Sequence, residues 1–183
     1  MLARSGRIPT GSGWRFEPKL DGFRCLVCTH GGRLRARSRN GGSMGELLPE
    51  LAAALPGDVQ LDGELVALDA DGRPDFHRLC ARMLHAAPGV AVTLFVFDVL
   101  ALEGLPVTSQ PYRERRALLE EFELEGPRVR LVATFEDGEA LFAAVCERGL
   151  GGVVAKPARP LPAARAGVGE DEEPRDRSFR GGA

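Results

Sequence analysis

The first half of the chain consists of short runs of strand-forming residues separated by turns. Arginines alternate with smaller residues over 33–39, which is the period-two pattern of a half-buried antiparallel strand. Gly31 and Gly32 separate this run from the preceding one and predict a hairpin turn. The strands predicted in this way are 14–19, 23–30, 33–39, 59–69 with a glycine kink, 90–102 as a buried central strand, 129–135 and 151–156.

Helical patterns lie between and after these strands. The predicted helices are 45–55 with Pro49 in its first turn, a short helix capped by Asp75 and running through Leu84, 113–124, and one over 138–149 capped by Asp137. Because hairpins cluster early and helices come later, the order favours an α+β fold with largely antiparallel sheets and flanking helices over a doubly wound sheet.

The length of 183 residues suits one domain with its own core. Residues 1–157 carry the predicted elements. Residues 158–183 contain three prolines, one aromatic residue and a run of acids from Glu170 to Glu173. This composition buries too little apolar surface to offset its ordering entropy, so it predicts a disordered or aberrant tail.

Charge and hydropathy narrow the class of protein. The net charge is −2, so attraction to nucleic acid has to be local. No run approaches the roughly 18 apolar residues of a membrane span, and the first residues lack a signal peptide's apolar core. These features predict a cytoplasmic protein with no membrane partner, and we expect a monomer.

The four cysteines raise the alternative of a zinc site. Cys25 and Cys28 have C-x-x-C spacing, and His77 with Cys80 would complete four ligands. Residues three apart on a strand point to opposite faces, however, so the strand pattern of 23–30 favours semi-buried thiols instead.

Lysine is rare in this chain. Of the 24 basic residues 22 are arginine, and only Lys19 and Lys156 are lysine. An amine becomes a nucleophile when it is neutral, whereas a guanidinium stays protonated. The two lysines therefore indicate positions at which a positive charge alone is not sufficient.

Four short segments, in order, carry candidate chemistry: E-P-K-L-D-G-F-R (17–24), S-R-N-G (38–41), L-D-G-E-L (61–65) and V-F-D-V-L (96–100). Together they resemble the motifs of covalent nucleotidyltransferases, and most closely the adenylation domain of bacterial repair-type ATP-dependent DNA ligases. The resemblance covers about residues 1–157, including the Met-Leu-Ala-Arg start. It implies an ATP-grasp-like nucleotidyltransferase fold.

The resemblance also implies roles for individual residues. Lys19 attacks the α-phosphate of ATP and holds AMP, and the other residues serve the nucleotide or the metal. The nucleotide contacts are Glu17 at the adenine amino group, Arg24 and Glu64 at the ribose, Arg39 near the nucleotide and the DNA end, Phe97 stacked on adenine, and Lys156. Asp21 and Asp62 would hold the water shell of a catalytic Mg²⁺. Nearby cations would favour the neutral, nucleophilic amine.

Two departures from the family pattern stand out. Its fourth motif, E-G-V-V-x-K, is here G-G-V-V-A-K (151–156), so Gly151 replaces the metal-binding glutamate. Its fifth motif should supply a tryptophan and a K-x-K pair soon after Lys156, yet 157–183 contains no lysine. Arg175-Asp176-Arg177 and Phe179-Arg180 are weak candidates for remnants. The oligonucleotide-binding barrel that follows in the family is also expected to be absent, so the domain is predicted to be incomplete at its C-terminal end.

These observations lead to one main hypothesis and two alternatives. The main one is a ligase adenylation domain that forms lysyl-AMP for DNA strand joining in repair or recombination, with weak activity alone. Its partners would be ATP, nicked double-stranded DNA, and a separate OB-fold or repair protein. The alternatives are a catalytically defective nucleotide- or nick-binding module, and an RNA ligase. Arg33, Arg35 and Arg37 form either a solvated strand face or a contact to DNA phosphates.

Overall fold

The computed structural model of this protein describes residues 6–157. The strands are β1 (Trp14–Pro18), β2 (Phe23–His30), β3 (Arg33–Ser38), β4 (Val59–Ala67), β5 (Val92–Leu102), β6 (Leu105–Pro106), β7 (Val129–Leu131) and β8 (Val153–Pro157). The α-helices are α1 (Phe76–His85), α2 (Tyr112–Glu120) and α3 (Gly138–Glu147). The predicted tail 158–183, with its proposed motif remnants, and the first five residues lie outside the described residues.

Two sheets organise the fold. The larger has the order β3-β2-β4-β5-β6 with antiparallel neighbours, and β7 joins β5 in parallel. The smaller consists of β1 and β8, which pair antiparallel although they lie at opposite ends of the described chain. The α+β class with largely antiparallel sheets and flanking helices is confirmed. The central position predicted for 90–102 is also confirmed, because β5 lies between β4 and both β6 and β7.

Each sheet has its own apolar core. The large sheet shares one core with α1, α2 and the segment before β4, which contribute Leu79, Leu119 and Leu51. The small sheet packs Phe16 against Leu141 and Val145 of α3. Burial of these faces is the main stabilising term, at about 25 cal/mol per Å² of apolar surface. The two sheets meet at the segment after β1, which holds Lys19.

The prediction of a single helix over 45–55 is wrong. The chain forms two short 3₁₀ helices, Gly45–Leu47 and Pro49–Ala54, separated by Leu48. A residue before proline is driven out of the helical region by the proline ring. Leu48 accordingly has φ −131° and ψ 41°, and Pro49 begins a new helix instead of continuing the first.

The strand predicted over 129–135 is too long. Strand β7 ends at Leu131, and the chain then crosses to the small sheet, where the backbones of Phe135 and Phe16 exchange two hydrogen bonds of 2.9 and 2.8 Å. A continuous run of strand-forming residues does not show that its two halves pair with different sheets. The two-residue strand β6 was not predicted.

Candidate functional site

Lys19 is exposed and directly follows β1. Its backbone N–H donates to the carbonyl of Gly152 at 2.8 Å, which extends the pairing of β1 with β8 by one residue. Gly22, three residues after Lys19, packs against the large sheet. A Cβ atom there would lie 2.3 Å from the carbonyl oxygen of Leu65 in β4, so only glycine allows this approach. The turn thereby places Lys19 between the two sheets.

Arg24 and Asp62 form a bidentate ion pair on the large sheet. The Arg24 Nε atom donates to one oxygen of Asp62 at 3.0 Å, and a terminal nitrogen donates to the other. The Asp62 carboxylate is nearly buried, so this pairing compensates for its lost hydration. In this conformation the guanidinium engages both oxygens of the carboxylate that was predicted to serve Mg²⁺.

Glu64 pairs with Arg24 in the register of β2 and β4. Burial raises the pKa of Glu64 to about 7, and the negative charges of Asp62 and Asp21 act in the same direction. Arg24 and Lys19 oppose the shift. Lys19 and Asp21 thus act electrostatically on Glu64, a strand residue predicted to act with them.

The described residues only partly fit a Mg²⁺ ion. Residues 6–157 contain no group of three or more His, Cys, Asp or Glu side chains placed to hold a metal. Mg²⁺ is commonly bound through one or two carboxylates together with substrate phosphates. Asp21, which is exposed, fits that role, whereas Asp62 would first have to release Arg24.

Glu17, which was predicted to contact the adenine base, is only 3% exposed. The Tyr112 hydroxyl donates to Oε1 at 2.7 Å, and the Lys156 ammonium forms an ion pair with Oε2 at 2.8 Å. Lys156 also donates to the carbonyl oxygen of Phe97 at 2.8 Å and lies 4.5 Å from the centroid of the Phe97 ring. Lys156 therefore contacts both of the other predicted nucleotide residues, Glu17 and Phe97.

Phe97, whose carbonyl oxygen accepts from Lys156, lies at a bulge in β5. The register pairs Asp62 with Asp98 and Gly63 with Val96, which leaves Phe97 as an extra residue. The glycine predicted to kink the 59–69 strand, Gly63, lies in β4 opposite this bulge. A Cβ atom on Gly63 would lie 2.8 Å from the carbonyl oxygen of Phe95, so glycine lets the two strands approach at the bulge.

Two residues that hold side chains of the site were not predicted from the sequence, and both lie on α2. Arg115 is 1% exposed and holds Asp98 through two bonds of 2.8 and 3.0 Å, beside Phe97. Tyr112 reaches Glu17 from 95 positions away in the chain. The one available signal for Tyr112 was that it is the only tyrosine. Arg115 was indistinguishable from 21 other arginines.

Gly151 lies beside Lys19. A Cβ atom on Gly151 would come 3.5 Å from Lys19 Nζ, which is ordinary contact, and its backbone does not have a positive φ. Gly152 does, at +119°. The position at which the family carries a glutamate thus faces the predicted nucleophile and has room for a side chain.

The arginines of β3 share a face with the site. In the register, Arg37 of β3, Leu26 of β2 and Asp62 of β4 form one row across three strands. Directly opposite residues project to the same side, so the arginine row (Arg33, Arg35 and Arg37) lies on the face that bears Asp62. Arg39 is exposed just beyond the end of β3. The structure does not show Arg39 in contact with Glu17, Phe97 or Lys156.

Cys25 and Cys28 lie on β2, as the strand pattern predicted. Cys25 is fully buried in the large core, while Cys28 is half-buried. Burial raises the pKa of the Cys25 thiol to about 12. Among residues 6–157, none of the helices is long and apolar enough to cross a membrane.

The fold has an exposed lysine at the junction of two sheets, and a buried carboxylate and an aromatic ring that both contact Lys156. This arrangement agrees with the class of nucleotidyl-transferring domain that the motifs predicted. Comparison with known proteins gives the family. Residues 2–162 match the family model described as "ATP dependent DNA ligase domain". The chain belongs to this family of ATP-dependent DNA ligase domains.

Individual relatives agree with this assignment. The chain is 40% identical to the multifunctional non-homologous end joining protein LigD of Pseudomonas aeruginosa, over 85% of this chain and 19% of that protein. It is 37% identical to DNA ligase C2 of Mycolicibacterium smegmatis, over 86% of this chain and 48% of that protein. The chain therefore spans less than half the length of these relatives.

Solved structures show the same fold. A mycobacterial DNA ligase D complexed with ATP and MES matches with a TM-score of 0.69 and 33% identity, over 82% of this chain and 50% of that one. An archaeal ATP-dependent RNA ligase matches more weakly, with a TM-score of 0.53 and 21% identity. At that identity the second match supports the fold alone. The DNA ligase interpretation is thus supported over the RNA ligase alternative.

Proposed function

We propose that this protein reacts with ATP to form a lysyl-AMP at Lys19, as the first step of DNA strand joining in repair. The observation that carries this proposal is the position of Lys19 at the junction of the sheets, between the carboxylates of the large sheet and Gly151. In the step, a bond forms between Lys19 Nζ and the α-phosphorus, the bond to the bridging oxygen breaks, and pyrophosphate leaves. The ammonium proton is lost to solvent, because only the neutral amine attacks.

The remaining pocket residues bind and orient the nucleotide. Phe97 offers a ring on which adenine stacks, and Glu17 offers an acceptor for the amino group of adenine. Guanine would turn a carbonyl oxygen toward the same carboxylate, which leaves two acceptors facing each other, at a cost of about 1–3 kcal/mol. We therefore expect ATP to be preferred over GTP.

Arg24 and Glu64 are expected to hold the ribose, and Arg39 to act near the nucleotide and the DNA end. Bound Mg²⁺ supplies positive charge that offsets charge on the phosphates. Asp21 is the residue whose present environment suits the water shell of that ion, and Asp62 joins it once Arg24 turns to the nucleotide.

Nicked duplex DNA is the proposed partner, with the row of β3 arginines as its contact. The row shares a face with Asp62, and a cavity of about 300 Å³ next to it is lined in part by Arg35 and Arg37. Arginines that follow one strand suit the regular spacing of phosphates. With a net charge of −2, this local contact gives only weak binding, so a separate OB-fold or repair protein would strengthen it.

A catalytically defective nucleotide-binding module is the second candidate. Two observations favour it: Gly151 offers no carboxylate beside Lys19, and Asp62 is fully engaged by Arg24. Such a module would bind ATP in the pocket around Glu17 and Phe97 without transferring AMP.

Intact mass of the chain before and after incubation with ATP and Mg²⁺ separates the two candidates. The proposed enzyme gains one adenylate, and Lys19→Arg gains none because a guanidinium stays protonated. ATP binding without any mass change would identify the binding module. A chain that neither binds ATP nor gains mass would overturn both.

A further inference from the structure

The Glu17 carboxylate is held from both sides. Its Oε1 accepts from the Tyr112 hydroxyl and its Oε2 from the Lys156 ammonium. We propose that Tyr112 is a positioning residue that sets the base selectivity of the nucleotide pocket through Glu17. The proposal rests on the proposed function, because it concerns the base of the nucleotide that Lys19 would attack.

Tyr112 is rigidly placed for this task. It is the first residue of α2, follows Pro111, and is only 3% exposed. One turn later, Arg115 connects the same helix to β5 through two hydrogen bonds to Asp98. Burial and the adjacent Glu17 raise the pKa of the phenol, so the hydroxyl remains a donor. Glu17 therefore meets a fixed O–H group, and its carboxylate plane has one preferred orientation.

This orientation decides which oxygen is available to a base. With Oε1 held by Tyr112, Oε2 is the oxygen directed at Lys156, whose ammonium lies over the Phe97 ring. A base that stacks on that face of Phe97 moves the ammonium aside and meets Oε2. A carboxylate only accepts hydrogen bonds, so it stabilises a base with an amino group at this point and disfavours one with a carbonyl oxygen there.

Removal of the hydroxyl changes both properties. The carboxylate is then free to turn and to bind the Lys156 ammonium with both oxygens, which holds that ammonium over Phe97 more firmly. A base has to displace a stronger contact, and it meets no fixed acceptor. ATP affinity and the preference for ATP over GTP both fall.

The test compares Tyr112→Phe with the unaltered 183-residue chain in equilibrium binding of ATP and of GTP. We expect the dissociation constant for ATP to rise about tenfold, the loss of one hydrogen bond to a charged group. GTP affinity should fall less, because guanine makes no hydrogen bond to the fixed oxygen, so the ATP-to-GTP preference should fall as well. A purely structural role for Tyr112 would weaken both nucleotides equally and leave their ratio unchanged, which would overturn the proposal.

A double-mutant cycle with Glu17→Gln shows whether Tyr112 acts through Glu17. In the Glu17→Gln background, Tyr112→Phe should change ATP affinity by less than about twofold, since the partner through which it acts is already altered. An equal effect in both backgrounds would contradict the proposal. The cycle remains informative if Tyr112→Phe alone does not fold. In that case the ATP affinity of the double variant is compared with that of Glu17→Gln, and a tenfold difference between them overturns the proposal.

Failure of the proposed function has a different signature. If the unaltered chain binds no ATP at all, both the proposed function and this inference are wrong. If the unaltered chain prefers ATP and Tyr112→Phe retains the same preference, only the inference is wrong.

Discussion

Gly151 lies in contact distance of Lys19: a Cβ atom on Gly151 would be 3.5 Å from Lys19 Nζ and 3.6 Å from the Lys19 carbonyl oxygen. Gly151→Glu should therefore place a carboxylate beside the nucleophile and help to hold Mg²⁺ at the phosphates. Metal-assisted charge stabilisation is worth several kcal/mol, so the rate of Lys19 adenylation should rise at least about tenfold. Intact mass followed over time measures this rate.

The matched control is Gly151→Gln, which has the same shape without the charge and should give no acceleration. Lys19→Arg should abolish the adduct in every background. If Gly151→Glu folds normally yet is adenylated no faster than the parent, the missing carboxylate does not limit this chain, and the binding module gains support.

Arg115→Ala should strongly destabilise the protein. It leaves the buried Asp98 carboxylate without its ion-pair partner, which typically costs about 3–5 kcal/mol. Arg113→Ala, two positions away on the same helix but exposed, should change the free energy of unfolding by less than about 0.5 kcal/mol. Urea unfolding of both variants measures the difference, and equal midpoints would show that the ion pair does not stabilise the fold.

Gly22→Ala should weaken the attachment of the Lys19 turn to β4. The added methyl group would meet the Leu65 carbonyl oxygen at 2.3 Å, and backbone in the middle of a sheet does not give way. We expect a loss of about 1–3 kcal/mol in the free energy of unfolding. Gly57→Ala is the control, because a Cβ atom there meets nothing within 4 Å. Similar thermal midpoints for the two variants would rule out the close approach.

Glu64→Gln should change how stability depends on pH. The pKa of Glu64 is about 7 in the folded protein, above its ordinary value of 4.5, because burial disfavours the charged form. Between these two values the folded state binds more protons than the unfolded state, so stability falls as the pH rises from about 4.5 to about 7. Glu64→Gln has no titrating carboxyl group at this position, so it should not show this fall in stability.

Thermal midpoints of parent and Glu64→Gln at about pH 5 and about pH 8 test this expectation. The variant should gain stability relative to the parent on going to the higher pH. All other titrating groups are the same in both proteins, so their contributions largely cancel. A constant difference between the two midpoints at both pH values would show that burial does not shift Glu64.

The double variant Arg33→Ala/Arg35→Ala should weaken binding to nicked duplex DNA. For each phosphate that the variant can no longer neutralise, the slope of log affinity against log salt should become shallower by about one. The control is Arg113→Ala/Arg130→Ala, which removes the same charge from exposed positions outside β3. Equal salt slopes for the two double variants would place the DNA-binding surface elsewhere.

Much of the fold was predictable from local patterns. The alternation of arginines in 33–39 predicted β3, the β-branched run in 90–102 predicted β5, and Asp75 and Asp137 were identified as helix caps. Both carboxylates accept a backbone N–H of their own helix, as expected. These features depend on residues within a few positions of one another, so neighbouring sequence is sufficient to specify them.

The order and spacing of the motifs also indicated the ligase family, which the comparisons confirm. The roles of the individual site residues stay predictions. The structure adds that Lys156 contacts both Glu17 and Phe97 and that Arg39 is exposed beyond β3.

Only the tertiary structure decided which side chains pair within the site. Arg24 engages Asp62 although Glu64 is its neighbour in the register, and Glu17 receives a hydrogen bond from Tyr112, 95 positions away. Such choices depend on a bulge in β5, on burial and on the approach of α2. A buried charge is stable only beside a partner, and the identity of that partner is set by which distant segments the packed core brings together.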